Sequence, residues 1–254
     1  MKIGINCGHT TVNPGTGAVG YINESAETRR VGYKVIEKLK ALGHDVVDCT
    51  INKASSNNAY LSRAVELANN TTLDVFVSIH FNAGGGRGVE VYTYEGKQYP
   101  DAVAVCKNIE KLGFKNRGVK AGSKLYVIRK TKAKSMLIEV CFVDTKSDCD
   151  LYNTVGVDAV AQAIVDGILV NAPKSTVEAP KSLYRVQVGA FGKKANADAL
   201  CAKLKGDGYS TLLIKVDGLY KVQVGAYGVK ANAEKTLRNL QALKYDAFIT
   251  YSNN

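Results

Sequence analysis

Asp74-Val75-Phe76-Val77-Ser78-Ile79-His80-Phe81-Asn82-Ala83 is the stretch whose reading decides the fold. Four of its first six residues are apolar, and the run stops at Gly84-Gly85-Gly86, so it predicts a buried strand. The strand delivers a histidine and an asparagine just as it ends. An imidazole is costly to bury without a partner, so a histidine at a strand tip points to something it binds.

Upstream, residues 2–7 predict another buried strand, followed by Gly8-His9-Thr10 and a glycine-rich loop. Residues 24–42 carry Val31, Val35, Leu39 and Leu42 at helical spacing, with Gly43 as a stop. A strand is expected over 45–50 and a helix from Asn57 to about Asn69. Downstream, strands are expected over 88–94, 125–128 and 136–142, and helices over 99–112 and 155–169. Strands alternating with helices predict an α/β domain, a twisted mixed sheet flanked by helices, over residues 1–170. Residues 171–182 hold two of the four prolines and no apolar pattern, which reads as a linker.

The remaining residues, 183–254, contain a repeat. Tyr184-Arg-Val-Gln-Val-Gly-Ala-Phe-Gly recurs 36 positions on as Tyr220-Lys-Val-Gln-Val-Gly-Ala-Tyr-Gly. Each copy reads strand, helix, strand, so the pair predicts a small α+β sandwich of βαββαβ order rather than a solenoid, which needs about three repeats. Alternation places Val186 and Val188 on one face. It places Arg185, Gln187 and Phe191 on the other, with Lys221, Gln223 and Tyr227 in register. An exposed row of amides, cations and aromatics suits a sugar chain.

The net charge is +11, and residues 183–254 carry 11 Lys and Arg against 5 Asp and Glu, so the tail should prefer an anionic partner. The repeat lacks the aromatic pattern of an RNA-binding sheet, which disfavours nucleic acid. No apolar run approaches ~18 residues, so no membrane span is expected. No signal peptide is read at the N-terminus. Synthesis in the cytoplasm, with reduced cysteines, is therefore the expectation.

The three histidines are His9, His44 and His80. His9 and His80 both follow predicted strands where glycine-bearing loops begin, and such strand ends line the crevice of an open α/β sheet. Glu24 opens the next helix. Two His and one Glu form a zinc set that leaves a position for water. Glu139 sits in the most apolar strand, where a carboxylate needs a reason, and proton transfer to and from that water supplies one. Several neighbours read more plainly. His44 is a surface histidine, Glu27 a solvated helix charge, and Cys141 a small buried thiol sharing Glu139's face. The run 129–134 is either a solvated basic loop or a guide for acidic substrate.

Gly8-His9, Glu24, Ser78-Ile79-His80-Phe81-Asn82-Ala83 and Glu139-Val-Cys-Phe142 together resemble the zinc-dependent N-acetylmuramoyl-L-alanine amidases of the amidase-3 type. The family pattern Asp-x-Gly-His-Gly-Gly appears here as Asn6-Cys7-Gly8-His9-Thr10-Thr11. Its Glu-x-Gly-Phe-x-Ser/Thr-Asn appears as Glu139 to Thr145. The resemblance implies one zinc ion on His9, Glu24 and His80, Glu139 as catalytic base and acid, and Asn82 on substrate. It implies hydrolysis of the amide joining the muramic acid lactyl group to L-alanine in peptidoglycan. The tail resembles the SPOR domain, which implies that Arg185, Gln187, Phe191, Lys221, Gln223 and Tyr227 meet glycan stripped of peptide. Wall lysis by a phage endolysin or a sporulation amidase, after release from the cell, is the expected setting. The alternative is a wall-binding protein without catalysis.

Overall fold

The structure is a computed structural model, and it describes residues 1–172 and 182–253 apart from 208, 210 and 229. The expected linker, 171–182, lies almost wholly outside the described residues. The chain divides into two compact units, Met1–Ser175 and Thr176–Asn254.

The first unit runs β1 (Lys2–Cys7), α1 (Glu24–Ala41), β2 (Asp45–Asp48), α2 (Asn57–Asn69), β3 (Val75–Asn82), β4 (Val89–Thr93), α3 (Pro100–Glu110), β5 (Asn116–Ala121), α4 (Tyr126–Lys130), β6 (Ser135–Phe142) and α5 (Lys146–Ile168). Its six strands lie in the order β2-β1-β3-β6-β4-β5. β1, β2, β3 and β6 are mutually parallel, whereas β4 runs antiparallel to β6. β1, β3 and β6 are apolar along nearly their whole length because they are covered on both faces. One face, with Ile3, Ile5, Val77, Ile79 and Ile138, packs on Val31 and Val35 of α1, Val105 and Ile109 of α3, and Ile164 of α5. The other face carries Phe76 and Leu137 against Val65 of α2 and Val127 of α4. Each such side chain contributes about 1.5–3 kcal/mol when fully buried.

Two expectations for this unit are corrected, and one strand is added to those expected. Residues 126–130 form a helix, not a strand: Leu125 follows the turn in which its N–H reaches the Gly122 carbonyl, and the Arg129 N–H then reaches back to Leu125. A short apolar run does not distinguish the two states by itself. β5 has no apolar alternation, its residues are half-buried up to an exposed Ala121, and it exists because it pairs with β4. α5 begins at Lys146 rather than near 155, and only Gly156, at φ 79°, interrupts it.

Two side-chain readings also change. Glu27 is buried rather than solvated: the Tyr152 hydroxyl donates to it at 2.6 Å and Arg30 grips both of its oxygens at 2.9 Å. Cys141 does not share Glu139's face. The β3–β6 register runs from His80↔Glu139 to Asn82↔Phe142, one extra residue on β6, and that bulge turns Cys141 into the helix-covered core.

The second unit runs β7 (Ser182–Phe191), α6 (Lys194–Gly206), β8 (Leu212–Val216), β9 (Leu219–Tyr227), α7 (Lys230–Ala242) and β10 (Phe248–Asn253), with an antiparallel sheet ordered β10-β7-β9-β8. Val186, Val188, Val222 and Val224 pack with Ala197 and Leu204 of α6 and Ala233 and Leu240 of α7. The β7–β9 register slips at Val224 and again at Val188, the same position of each repeat copy. Each bulge reverses the alternation that follows it. Phe191 therefore lies over Gly189 beside Leu200 of α6. Tyr227 lies over Gly225 with its hydroxyl 2.8 Å from Thr236 of α7. Both had been expected on the opposite, exposed face.

Replacing Tyr152 by Phe removes a buried hydrogen bond to a carboxylate and should cost about 1.5–3 kcal/mol. A lower denaturation midpoint for the first unit, with unchanged circular dichroism, checks this.

Candidate metal centre

Three loops meet at the C-terminal ends of β1 and β3. The β1 tip carries Gly8 and His9, and the backbone turns sharply there, with His9 at φ 65°, a region L residues seldom occupy. Arg29 of α1 holds the turn. Its Nη1 donates to the Gly8 carbonyl at 2.8 Å and its Nη2 to the His9 carbonyl at 2.7 Å. A side chain at position 8 would place its Cβ 2.3 Å from the His80 ring, so only glycine lets the two strand ends come this close.

Glu24 is the first residue of α1. Asn23 caps that helix by accepting from the Ala26 N–H at 3.0 Å, which fixes where Glu24 points. Its carboxylate is 4% exposed. Oε1 lies 3.0 Å from His9 Nε2 and 3.2 Å from His80 Nδ1, and accepts from the Phe81 N–H at 3.2 Å. Oε2 accepts from the Ala18 N–H at 2.9 Å. Burial alone would raise this carboxyl. The hydrogen bonds to His80 and His9 outweigh it and hold Glu24 well below the usual carboxylate range. Burial pushes His80 down, toward the neutral imidazole that a metal requires.

His9, Glu24 and His80 thus offer one ligand atom each, all within 4.8 Å of one another. Tetrahedral ligands at zinc bond lengths stand about 3.3 Å apart, close to the two Glu24–His spacings of 3.0 and 3.2 Å. The hydrogen bonding gives a further test of fit. His9 Nδ1 lies 3.1 Å from the Gly15 carbonyl, so that nitrogen carries the proton. Nε2 then faces the Glu24 carboxylate at 3.0 Å, and the two are held together by a shared cation, a proton or a metal ion. The family's aspartate position, Asn6, does not support His9. Asn6 binds Ser78 and the Cys49 carbonyl, and Gly15 does the orienting instead.

Next to this triad runs a row across three strands, His80 on β3, Glu139 on β6 and Glu90 on β4, all in register. Glu139 Oε2 is buried without a hydrogen-bond partner. Burial, then the charges of Glu24 and Glu90, push its carboxyl up to about 8. Glu90 is its opposite. Burial pushes it up too, but Lys120 Nζ and Arg117 Nε at 2.5 Å and Tyr92 Oη at 2.8 Å hold it at about 2. Asn82 Nδ2 also donates to Glu90, at 2.7 Å. Nothing in the sequence marked Glu90, Arg117 or Lys120, because β5 itself was not legible. Arg29 escaped notice as one cation among many on a helix.

Asn82, Tyr92 and Glu139 form one wall of a cleft of about 510 Å³, and Ala121, Gly122, Ser123, Lys124 and Leu125 form the other. The basic run 129–134 is not part of this lining, and Lys134 pairs instead with Asp101 at 2.5 Å.

In the second unit, Gln187 and Gln223 face each other across β7 and β9 but are only 6% exposed each, not presented to solvent as expected. The same register row continues to the exposed Phe248 on β10 and Leu212 on β8.

The N-acetylmuramoyl-L-alanine amidase family matches residues 3–170, and the SPOR domain matches residues 180–251. An uncharacterized protein of Clostridium perfringens is 36% identical over 66% of this chain, which spans only 51% of that relative's length. A sporulation-specific N-acetylmuramoyl-L-alanine amidase of Bacillus subtilis is 30% identical over 85% of this chain and 86% of its own. Among solved structures, the catalytic domain of the CD27L endolysin targeting Clostridia Difficile is 30% identical. It covers 67% of this chain and 97% of its own, at a TM-score of 0.62.

In the metal-free protein, Glu139 should protonate far above the usual carboxyl value of 4.5. The folded state then holds a proton that the unfolded state releases, so stability should fall as pH rises from about 4.5 to about 8. Chelator-treated Glu139→Gln protein should lack that decline in denaturation midpoint.

Proposed function

This chain belongs to the N-acetylmuramoyl-L-alanine amidase family, and from that premise we propose that it hydrolyses the amide between the lactyl group of muramic acid and L-alanine in peptidoglycan. The single observation that carries the reading is the pairing of a His-Glu-His set with a half-buried carboxylate one strand away, Glu139, whose Oε2 is buried without a hydrogen-bond partner. We assign zinc to His9 Nε2, Glu24 Oε1 and His80 Nδ1. When bound there, zinc would supply Lewis acidity to the scissile carbonyl and to the attacking water.

The chain's own residues supply the rest. Gly15 orients His9, and Arg29 fixes the turn that presents it. Glu139, with no competing partner, takes the proton of the attacking water and returns it to the alanine nitrogen as the C–N bond breaks. A cation beside it lowers its affinity for the proton toward the value a base needs near neutrality. Asn82 lies in the cleft beside Glu139, where its side chain is set by Glu90 and by the Ala83 N–H, and it contacts the substrate.

The second unit, in this reading, holds the enzyme on glycan from which peptide has been removed. Arg185 and Lys221, each next to a core valine, belong to the open face along with Gln187 and Gln223. Each cut leaves a lactyl carboxylate, which basic residues attract. Phe191 and Tyr227, turned to the helix side, shape the sheet rather than stack on sugar. The relatives include a sporulation amidase and an endolysin, and lysis of the wall in either setting suits this chemistry. No helix among the described residues is long and apolar enough to cross a membrane.

Release of free L-alanine amines from purified walls, with lactyl carboxylates left on the glycan and no new reducing ends, should stop with a chelator and return with zinc. Glu139→Gln should lose at least ~1000-fold in turnover while keeping its metal, whereas His80→Ala should lose the metal itself. Full metal content with undiminished turnover in Glu139→Gln would remove its role as base. Separately, Lys221→Glu should weaken sedimentation of the protein with peptide-free glycan and leave the hydrolysis of soluble muramoyl-peptides alone.

A further inference from the structure

The cleft beside Glu139 has three cationic residues in its neighbourhood, and two of them are spent. Arg117 and Lys120 both close on Glu90 at 2.5 Å, and Arg117 also lies over the Phe142 ring, 5.1 Å from its centroid. Asn82 and Tyr92 are turned to the same carboxylate. Glu90 thereby fixes every polar side chain on that wall except Glu139. The opposite wall, Ala121 to Leu125, carries one cation, Lys124. It is exposed, and among the described residues it has no ion pair or hydrogen bond. The turn that bears it is rigid: Gly122 N–H donates to the Thr93 carbonyl at 2.7 Å, Leu125 N–H to Gly122 at 2.8 Å, and Ser123 Oγ accepts from the Glu95 N–H at 3.0 Å. A fixed turn thus holds an uncommitted ammonium over a cleft whose remaining free group is the proposed base.

We propose that this cleft takes the peptide side of the substrate, and that Lys124 pairs with a free carboxylate on the residue following the alanine. This rests on the amidase reading of the same site and adds a preference to it. The enzyme favours stem peptides whose second residue keeps its carboxylate over those in which it is a carboxamide. An ammonium gains an ion-paired hydrogen bond from the first, with both partners charged, and only an ion–dipole hydrogen bond from the second.

Binding can be measured without turnover. Full-length, zinc-loaded Glu139→Gln protein would be titrated calorimetrically with soluble disaccharide-peptides that differ only in carboxylate or carboxamide at the second stem residue. The carboxylate ligand should bind three- to tenfold more tightly. Lys124→Ala in the same background should erase that difference, and Lys124→Arg should keep it. In the active enzyme the preference should appear in KM rather than kcat. Equal affinities for the two ligands, or an equal loss for both in Lys124→Ala, overturns the assignment. If the preference is present but the wild-type enzyme releases no alanine from either ligand, the hydrolase reading fails and the carboxylate contact stands.

Discussion

A carboxylate that is 4% exposed and touched by two imidazoles is the constraint around which the first unit is arranged. Burying a charge unpaired costs several kcal/mol, so Glu24 is tolerable only where hydrogen-bonding partners are delivered with accuracy. That demand explains features far apart in the chain. Gly8 has no side chain because the His80 ring occupies its place. His9 takes a left-handed backbone because Arg29 holds the carbonyls on either side of it. Asn23 caps α1 so that its first residue, rather than its second, faces the strand tips. Glu27, one turn on, is used for a different purpose, tying α1 to Tyr152 of α5.

Two neighbouring carboxylates on the same sheet face show how environment divides labour. Glu90 and Glu139 are register partners on β4 and β6. One collects two cations, a hydroxyl and an amide; the other has an oxygen with nothing to bind. Arg117 and Lys120 both pair with Glu90 rather than with Glu139. Burial, and after it the charges of Glu24 and Glu90, raise the proton affinity of Glu139. Pairs of carboxyls with separated affinities are the usual mark of assigned acid and base roles.

The second unit shows the reverse situation, in which a repeat is plain and its consequences are not. Both copies carry the bulge at the equivalent valine, so both strands twist and change faces together. The aromatic residues end up against helices, and the glutamines end up deep in a row flanked by Phe248 and Leu212. Period-2 counting carries no term for an inserted residue, and the bulge leaves no distinctive side chain behind.

The primary structure by itself determined most of the strands and helices, with β5 missed and α4 read as a strand, together with the two-unit division of its patterns and the identity of the three residues whose ligand atoms meet. Apolar runs, helical spacing, a 36-residue repeat and the scarcity of histidine are local or countable, and each survives without coordinates. Tertiary structure alone decided that Glu90 stands beside Glu139, that Gly15 orients His9, that β5 exists, and that Lys124 overlooks the cleft. These are facts of register and of contact, most of them between segments tens of residues apart. A strand such as β5, with little apolar surface of its own, is made by the neighbour it pairs with, and no residue in it announces that neighbour.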